Sequence, residues 1–295
     1  MGSASPVIDT HVHLWPRGLV HPNQTTPAPL AATPSDYLAA AVDAGVDLAI
    51  VSPASVYQDN DYILRAAADA PGTMRAVVTV DPFVDAEVER LAAHARAGAV
   101  GARIAPGPHI DQLLTDPVRL GALVDAVADL GLVLQWTIRL HALALIRSAA
   151  TRRPTVSQVL DHLGLPDDPT DRRALDRVRN LAEVPDLTVK LSGMYAYSRA
   201  AYPYADTWGW AEGVLEAFGS GRVMWASDWP LSGESAAYSA QRTLVDHLPF
   251  VDAAARRDIL STTAMRVWGI VERGSVGAGS TPALEPGGPG GPGST

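Results

Sequence analysis

Eight short stretches rich in apolar and β-branched residues punctuate the chain: VIDTHVH from residue 7, VDLAIVSP from 46, MRAVVTV from 74, AVGARI from 99, LVLQWTI from 132, TVSQVLDHL from 155, LTVKLSG from 187 and RVMWASDWP from 222. Several are apolar nearly throughout, the pattern of parallel strands buried on both faces. Between them the apolar period lengthens. Leu120, Leu123, Val124, Val127 and Leu130 recur at helical spacing, as do Trp208, Ala211, Leu215 and Phe218, so each set predicts a helix with one face turned to a sheet. Strand starts lie about 31 residues apart on average, the size of one βαβ unit. Eight such alternations predict an α/β fold, a single-domain (β/α)8 TIM barrel spanning residues 1–271. An open doubly wound sheet is the alternative, but no glycine-rich phosphate-binding turn follows any strand, which argues against a nucleotide site of that kind.

Three segments break the rhythm. Residues 16–35, rich in Pro and Thr, form a long first βα loop, and GMYAYSRAAYPYADTWGW (193–210) forms a long aromatic one after the seventh strand. Both would lie over the C-terminal mouth of a barrel, where substrate loops belong. From Glu272 onward the chain is mostly Gly, Pro and Ser, and 272–295 is expected to be a disordered tail.

Composition narrows the chemistry. The 295 residues are 47% apolar, enough for a large core without disulfides. There is no cysteine, so thiolate ligands and cysteine nucleophiles are excluded and any metal site must use His, Asp, Glu or Gln. With 23 Lys and Arg against 32 Asp and Glu the net charge is −9, which repels a phosphate backbone, so nucleic acid is not an expected partner. No run approaches the roughly 18 apolar residues of a membrane helix, and no basic-then-apolar leader opens the chain. A cytoplasmic enzyme with a small-molecule substrate and no membrane partner is the default expectation. Oligomeric state, a homodimer included, carries no sequence signal.

Polar residues fall at the C-terminal ends of the predicted strands: His11 and His13 on the first, Arg103 on the fourth, Gln135 on the fifth, His162 on the sixth, Lys190 on the seventh and Asp228 on the eighth. In a barrel those ends converge on one face, and burying charges there has little structural use. Each residue also has a plain reading. The two histidines would be a solvated strand-end pair, Asp228 a turn cap, His162 a satisfied core histidine, and Arg103 and Lys190 members of ordinary ion pairs. Trp136, Trp225 and Trp229 are expected to pack the barrel. Tyr195, Tyr197, Tyr202 and Tyr204 read as a pocket lid, with Tyr195 and Tyr197 touching substrate. His21, His94, His109, His141 and His247 receive no catalytic role, although His21 and His109 fall in mouth loops.

DTHVHLW, GARI, LDHLGLP, VKLSG and ASDWP, in this order and at these spacings, resemble the amidohydrolase superfamily. They are most similar to its TIM-barrel branch of 2-pyrone-4,6-dicarboxylate lactonase, sulfomuconolactonase and sugar-acid lactonases. The resemblance covers residues 7 to about 271 and implies a hydrolytic water among His11, His13, His162 and Asp228. It implies that Asp228 activates this water and that the histidines or Lys190 stabilise the oxyanion. Arg103 and Gln135 would bind substrate. Binuclear members carry a carboxylated lysine or bridging acid on the fourth strand; Arg103 stands here, which argues against two metals. The fifth-strand histidine of many metal-bound members is Gln135. The resemblance therefore implies one divalent ion, zinc or manganese, on His11, His13 and Asp228 with His162 or Gln135 in reach, or else a metal-free site. Thr263-Ala264 replaces the Asn-Ala pair that usually ends the barrel. The expected activity is opening of a lactone or related cyclic ester of a small polar or carboxylated molecule. The alternatives are non-oxidative decarboxylation and a repurposed barrel without hydrolytic turnover.

Overall fold

The computed structural model describes residues 5–19, 32–55, 57–84, 86–104 and 109–271. His21, most of the first βα loop and the 272–295 tail lie outside the described residues. All eight expected strands form: β1 Ile8–His13, β2 Leu48–Ser52, β3 Met74–Thr79, β4 Ala99–Ile104, β5 Val133–Trp136, β6 Gln158–Leu160, β7 Leu187–Leu191 and β8 Val223–Trp225. They pair in parallel in the order β1 to β8, and β8 is joined back to β1 just beyond its end. There Val12 bridges Trp229 in parallel, and the His13 amide donates to the Trp229 carbonyl at 2.8 Å. This is a (β/α)8 barrel, not an open sheet.

Helices fill the crossovers. In Pro117–Asp129 the Asp116 carboxylate accepts from the Arg119 amide, and Pro117 supplies a pre-set first residue. That helix buries Leu120, Leu123, Val124 and Val127, while Leu130 falls at its C-cap and is exposed. In Trp208–Phe218 the buried face runs through Trp210, Ala211, Val214 and Phe218. Trp208 and Leu215 are only half-buried, so the face is rotated from the one that the sequence spacing picks out. Trp210 explains the rotation, because its indole N–H reaches under the barrel rim to donate to the Leu163 carbonyl at 3.0 Å.

The barrel interior is layered. Its N-terminal end is apolar: Ile8, Ile50, Val77, Val133, Val159 and Met224 cluster with Trp268 and Val267, which plug the base. Gly101 makes room for the plug, since a Cβ there would meet the Val133 carbonyl oxygen at 2.9 Å and the Trp268 ring at 3.1 Å. Above this layer, side chains two residues further along the same strands share the same face: Ser52 after Ile50, Gln135 after Val133 and Asp161 after Val159. All three are buried and polar. On β1 the parity changes, because its pairing with β2 shifts register between Asp9 and Val12. The irregularity turns Asp9 to the outside and brings His11 and His13 onto the interior face above Ile8.

Removing the plug tests this layering. Trp268→Ala is expected to cost roughly 3–5 kcal/mol of stability, read as a lowered urea midpoint. Val118→Ala, at a position 79% exposed, should stay within about 0.5 kcal/mol. Equal effects of the two would contradict the layering.

Candidate active site

Two segments with left-handed backbone bring the last side chains into place. After β6, His162, Leu163, Gly164 and Leu165 all have φ between 50° and 81°, a short turn of a hand that L-residues avoid. After β8, Asp228 has φ 60°. Such backbone persists only where the surroundings over-determine it. Here the Asp228 amide donates to the His11 carbonyl at 3.0 Å, and the Trp229 amide donates to Ser227 Oγ at 3.0 Å. Gly193 is also left-handed, and its missing side chain accommodates His162: a Cβ there would lie 2.7 Å from His162 Cβ.

The result is a buried constellation at the C-terminal end of the barrel. His11 Nε2 and His13 Nε2 lie 3.1 Å apart, and Asp228 Oδ1 lies 3.3 Å from His13 Nε2 and 3.6 Å from His11 Nε2. Asp228 Oδ1 is buried and has no hydrogen-bond partner among the described residues. Its other oxygen accepts from the Tyr195 hydroxyl at 2.7 Å and lies 4.0 Å from His162 Nε2. His13 Nδ1 faces the Ser52 carbonyl at 3.0 Å; a carbonyl only accepts, so Nδ1 carries a proton and Nε2 is the nitrogen turned to the site. His162 Nδ1 pairs with Ser192 Oγ at 2.9 Å.

Beneath His11 lies a second polar knot centred on Asp161. Lys190 Nζ is 3.1 Å from both Asp161 Oδ1 and His11 Nδ1. Gln135 Nε2 donates to Asp161 Oδ2 at 3.0 Å, Thr137 donates to the same oxygen, and Arg103 Nε is 3.5 Å from it. Arg103 also donates through Nε to Thr137 at 2.8 Å and through Nη1 to the Pro53 carbonyl at 2.9 Å. Among the described residues this leaves Nη2 as the nitrogen of the fork without a recorded partner.

Burial and charge set the ionisation. Burial pushes the His11 imidazolium well below its ordinary range, and Lys190 adds to this against the pull of Asp161, so His11 is neutral. Burial also lowers His162. It pushes the Lys190 ammonium down to about 8, against the attraction of Asp161. For Asp161 burial acts upward, but Lys190 and His11 outweigh it and hold the carboxyl well below the usual carboxylate range. Asp228 is likewise raised by burial but held lower by His162 and by the imidazoles of His11 and His13 beside it. Burial raises the Tyr195 phenol and Asp228 raises it further, so it stays a donor. Two cations, Arg103 and Lys190, thus face two carboxylates, Asp161 and Asp228.

The seven strand-end residues named from the sequence therefore lie in one connected cluster. Lys190 sits below it, wholly enclosed, and reaches the mouth only through His11. The tyrosines divide. Tyr195 contacts Asp228, and Tyr197 buries a hydroxyl with no partner among the described residues. Tyr202 donates to the Ala240 carbonyl at 2.6 Å and Tyr204 accepts from Gln241 at 2.8 Å, so these two anchor the loop to the segment after β8. Trp136 and Trp225 are fully buried and spend their indole N–H groups on Gln158 and the Gln241 carbonyl. His109 and His141 pair with Asp81 and Asp111 away from the cluster. Asp161, Thr137, Ser52 and Ser192 were not singled out from the sequence. The signal for Asp161 was available, two residues beyond the inward-facing Val159.

The comparison with known proteins follows this geometry. The amidohydrolase family model matches residues 8–270. The chain belongs to the amidohydrolase family. This enzyme is 27% identical over 284 residues to the 4-sulfomuconolactone hydrolase of Hydrogenophaga intermedia, covering 90% of each chain. It is 28% identical to the D-galactarolactone isomerase of Agrobacterium fabrum, over 81% of this chain and 82% of that one. In fold it matches a crystal structure of an amidohydrolase from Burkholderia multivorans with bound zinc, at TM-score 0.75 and 22% identity, covering 90% of this chain and 99% of the other.

The donor set of this chain fits a divalent ion by itself. His11, His13 and Asp228 form a buried group whose ligand atoms converge. Ligands about 2.0–2.2 Å from a tetrahedral ion lie about 3.3 Å apart, and the three separations here bracket that value. The unpartnered Asp228 Oδ1 is a buried charge that an ion would satisfy, and the Ser52 carbonyl orients His13 as an outer-shell partner does.

A Gly193→Ala substitution is expected to push His162 off Ser192 and lower turnover about 10²-fold, the scale of an ångström-sized misplacement. Kinetics checks this, with a thermal melt reporting separately on the fold. Unchanged turnover would show that His162 does not need this position.

Proposed function

We propose that this enzyme opens a lactone, or a related cyclic ester, of a small polar or carboxylated molecule, with Asp228 taking the proton of the attacking water. The observation that carries the reading is the convergence of two imidazole nitrogens and a carboxylate oxygen, each within 3.6 Å of the others. The relatives' names add support, since both act on lactones.

His11 and His13 through Nε2, with Asp228, would hold one divalent ion, zinc or manganese. Such an ion, when bound, supplies a water of lowered pKa and a counter-charge for a developing oxyanion. Asp228 is ionised at neutral pH and presents Oδ1 beside both histidines, where it accepts the proton of the nucleophilic water. The Tyr195 hydroxyl fixes Oδ2, so the protonatable oxygen is Oδ1. His162, held by Ser192, turns Nε2 toward the same side and suits the carbonyl oxygen as charge develops. It stands in a different ligand grouping from His13 and Asp228, which favours this role over that of a fourth metal ligand. Arg103 offers Nη2 to a substrate carboxylate as a one-point contact, since Nε and Nη1 are already engaged. Gln135 is turned inward to Asp161 and supports the cluster. An amide at this position, where an imidazole would add a metal ligand, favours hydrolysis over decarboxylation.

A panel of sugar-acid and unsaturated carboxy-lactones, followed by acid release with a pH indicator, tests the proposal. Asp228→Asn should lower kcat by about 10²–10⁴-fold with an unchanged melting midpoint. Near-normal turnover in that variant, or carbon dioxide release in place of ring opening, would overturn the assignment. Dialysis against a chelator should abolish turnover, with zinc or manganese restoring it; full turnover in protein shown by elemental analysis to be metal-free would contradict the ion.

A further inference from the structure

His11, Asp161 and His162 form a second group whose ligand atoms all lie within 4.8 Å of one another. His11 belongs to both groups. Its Nε2 faces His13 and Asp228, and its Nδ1 faces Asp161 Oδ1 at 3.3 Å. A cation already sits against this lower pair: the Lys190 ammonium, 3.1 Å from each atom, enclosed on all sides and lying 5.9 Å from the centre of the Trp268 ring.

We propose that Lys190 is the built-in cation of a latent divalent-metal site made by His11, Asp161 and His162, and that its presence reserves His11 for the upper group. The inference rests on the reading of His11 as an upper-site ligand through Nε2, and it concerns which cation the lower group accepts.

The argument is one of charge and donors. Asp161 is wholly buried, and its close cationic neighbours are Lys190 at 3.1 Å and Arg103 at 3.5 Å. With both in place the lower knot carries one more positive than negative charge, so a divalent ion there would meet an ammonium at contact distance with nothing to screen it. Removing the ammonium takes away the nearer cation and brings the knot to charge balance, with Arg103 lying against the other carboxylate oxygen. It leaves a buried carboxylate oxygen facing a free imidazole nitrogen, a second histidine within reach, and the space that the lysine head occupied. Two nitrogens and a carboxylate are a sufficient set for zinc. In the intact chain Lys190 also sets the proton of His11. Lys190 donates to Nδ1 when Nε2 carries the proton; when Nε2 is a ligand, Nδ1–H turns to Asp161 Oδ1 and the ammonium donates to the same carboxylate. Lys190 is thus a positioning residue that acts through His11.

The test uses zinc content of full-length protein by elemental analysis after zinc loading and desalting, with cobalt absorption as a second readout. His13→Ala combined with Asp228→Asn should leave zinc near zero while Lys190 is present. Adding Lys190→Ala to that pair should restore about one equivalent, and adding Asp161→Asn should take it away again. Lys190→Met, which keeps the volume but not the charge, should behave like Lys190→Ala and serves where the smaller residue unfolds the chain. Zinc held by the His13→Ala, Asp228→Asn protein with Lys190 intact would overturn the proposal, and needs no lysine variant. So would a folded lysine variant that gains no zinc, or a gain indifferent to Asp161. Whether unaltered protein binds zinc, and loses it on Asp228→Asn, is read in a separate arm and reports on the upper site alone.

Discussion

The junction between β1 and β8 is the constraint on which the site depends. One carboxylate reinforces its backbone bridge. Asp9, turned outward by the register shift in β1 and wholly buried, accepts from the Ser227 amide at 2.9 Å, the Ser227 hydroxyl at 2.5 Å, the Tyr238 hydroxyl at 3.0 Å and the His11 amide at 3.3 Å. Burial pushes this carboxyl up to about 6 against those bonds, which leaves it mostly ionised at neutral pH. Ser227 passes the tie on, since its Oγ accepts from the Trp229 amide. The left-handed residue between them, Asp228, is therefore held on both sides and aimed at the histidines of β1. A strand edge in register would close a barrel equally well, but it would not set this residue in this conformation.

Beneath the junction the barrel sorts its contents by depth. Trp268 seals an apolar base, and Lys190, Asp161, Gln135 and Arg103 form a charged middle layer. His11, His13, His162 and Asp228 make the top layer, at the mouth. Buried charges are expensive singly and tolerable in balance, and here each has a partner at about hydrogen-bond distance. The middle layer thereby holds the side chains of the top layer in place, and of its members only Arg103 keeps a nitrogen, Nη2, free of a recorded partner among the described residues. Such support is what holds a catalytic geometry within tolerance.

Much of this was legible in the sequence because barrel strands obey a two-residue period. Counting from an inward residue reaches Gln135 from Val133 and Arg103 from Gly101, and it also reaches Ser192 from Lys190, which the sequence reading did not single out. The same count reaches Asp161 from Val159, both buried, although the adjacent His162 is the more conspicuous residue of the LDHLGLP stretch. His162 itself enters the barrel by a left-handed turn that no period describes. His11 and His13 are inward only because of the irregularity after Asp9; an unbroken alternation from Ile8 would have put Thr10 and Val12 there instead. Helical faces were found to within a rotation, as the half-buried Leu215 shows, because several phases of one apolar helix fit a sheet and tertiary partners such as Leu163 choose among them. The tyrosine loop was legible as a mouth element, but its division into a site half and an anchoring half depends on contacts with the distant segment after β8.

The central claim is that three ligand atoms from the first and last strand ends share one point. Diffraction from zinc-loaded crystals, recorded at the zinc absorption edge, measures it without any substrate. A single strong anomalous peak is predicted within about 2.0–2.2 Å of His11 Nε2, His13 Nε2 and an Asp228 oxygen. A peak held by other residues, or a loaded crystal with no peak between these three, would contradict the account.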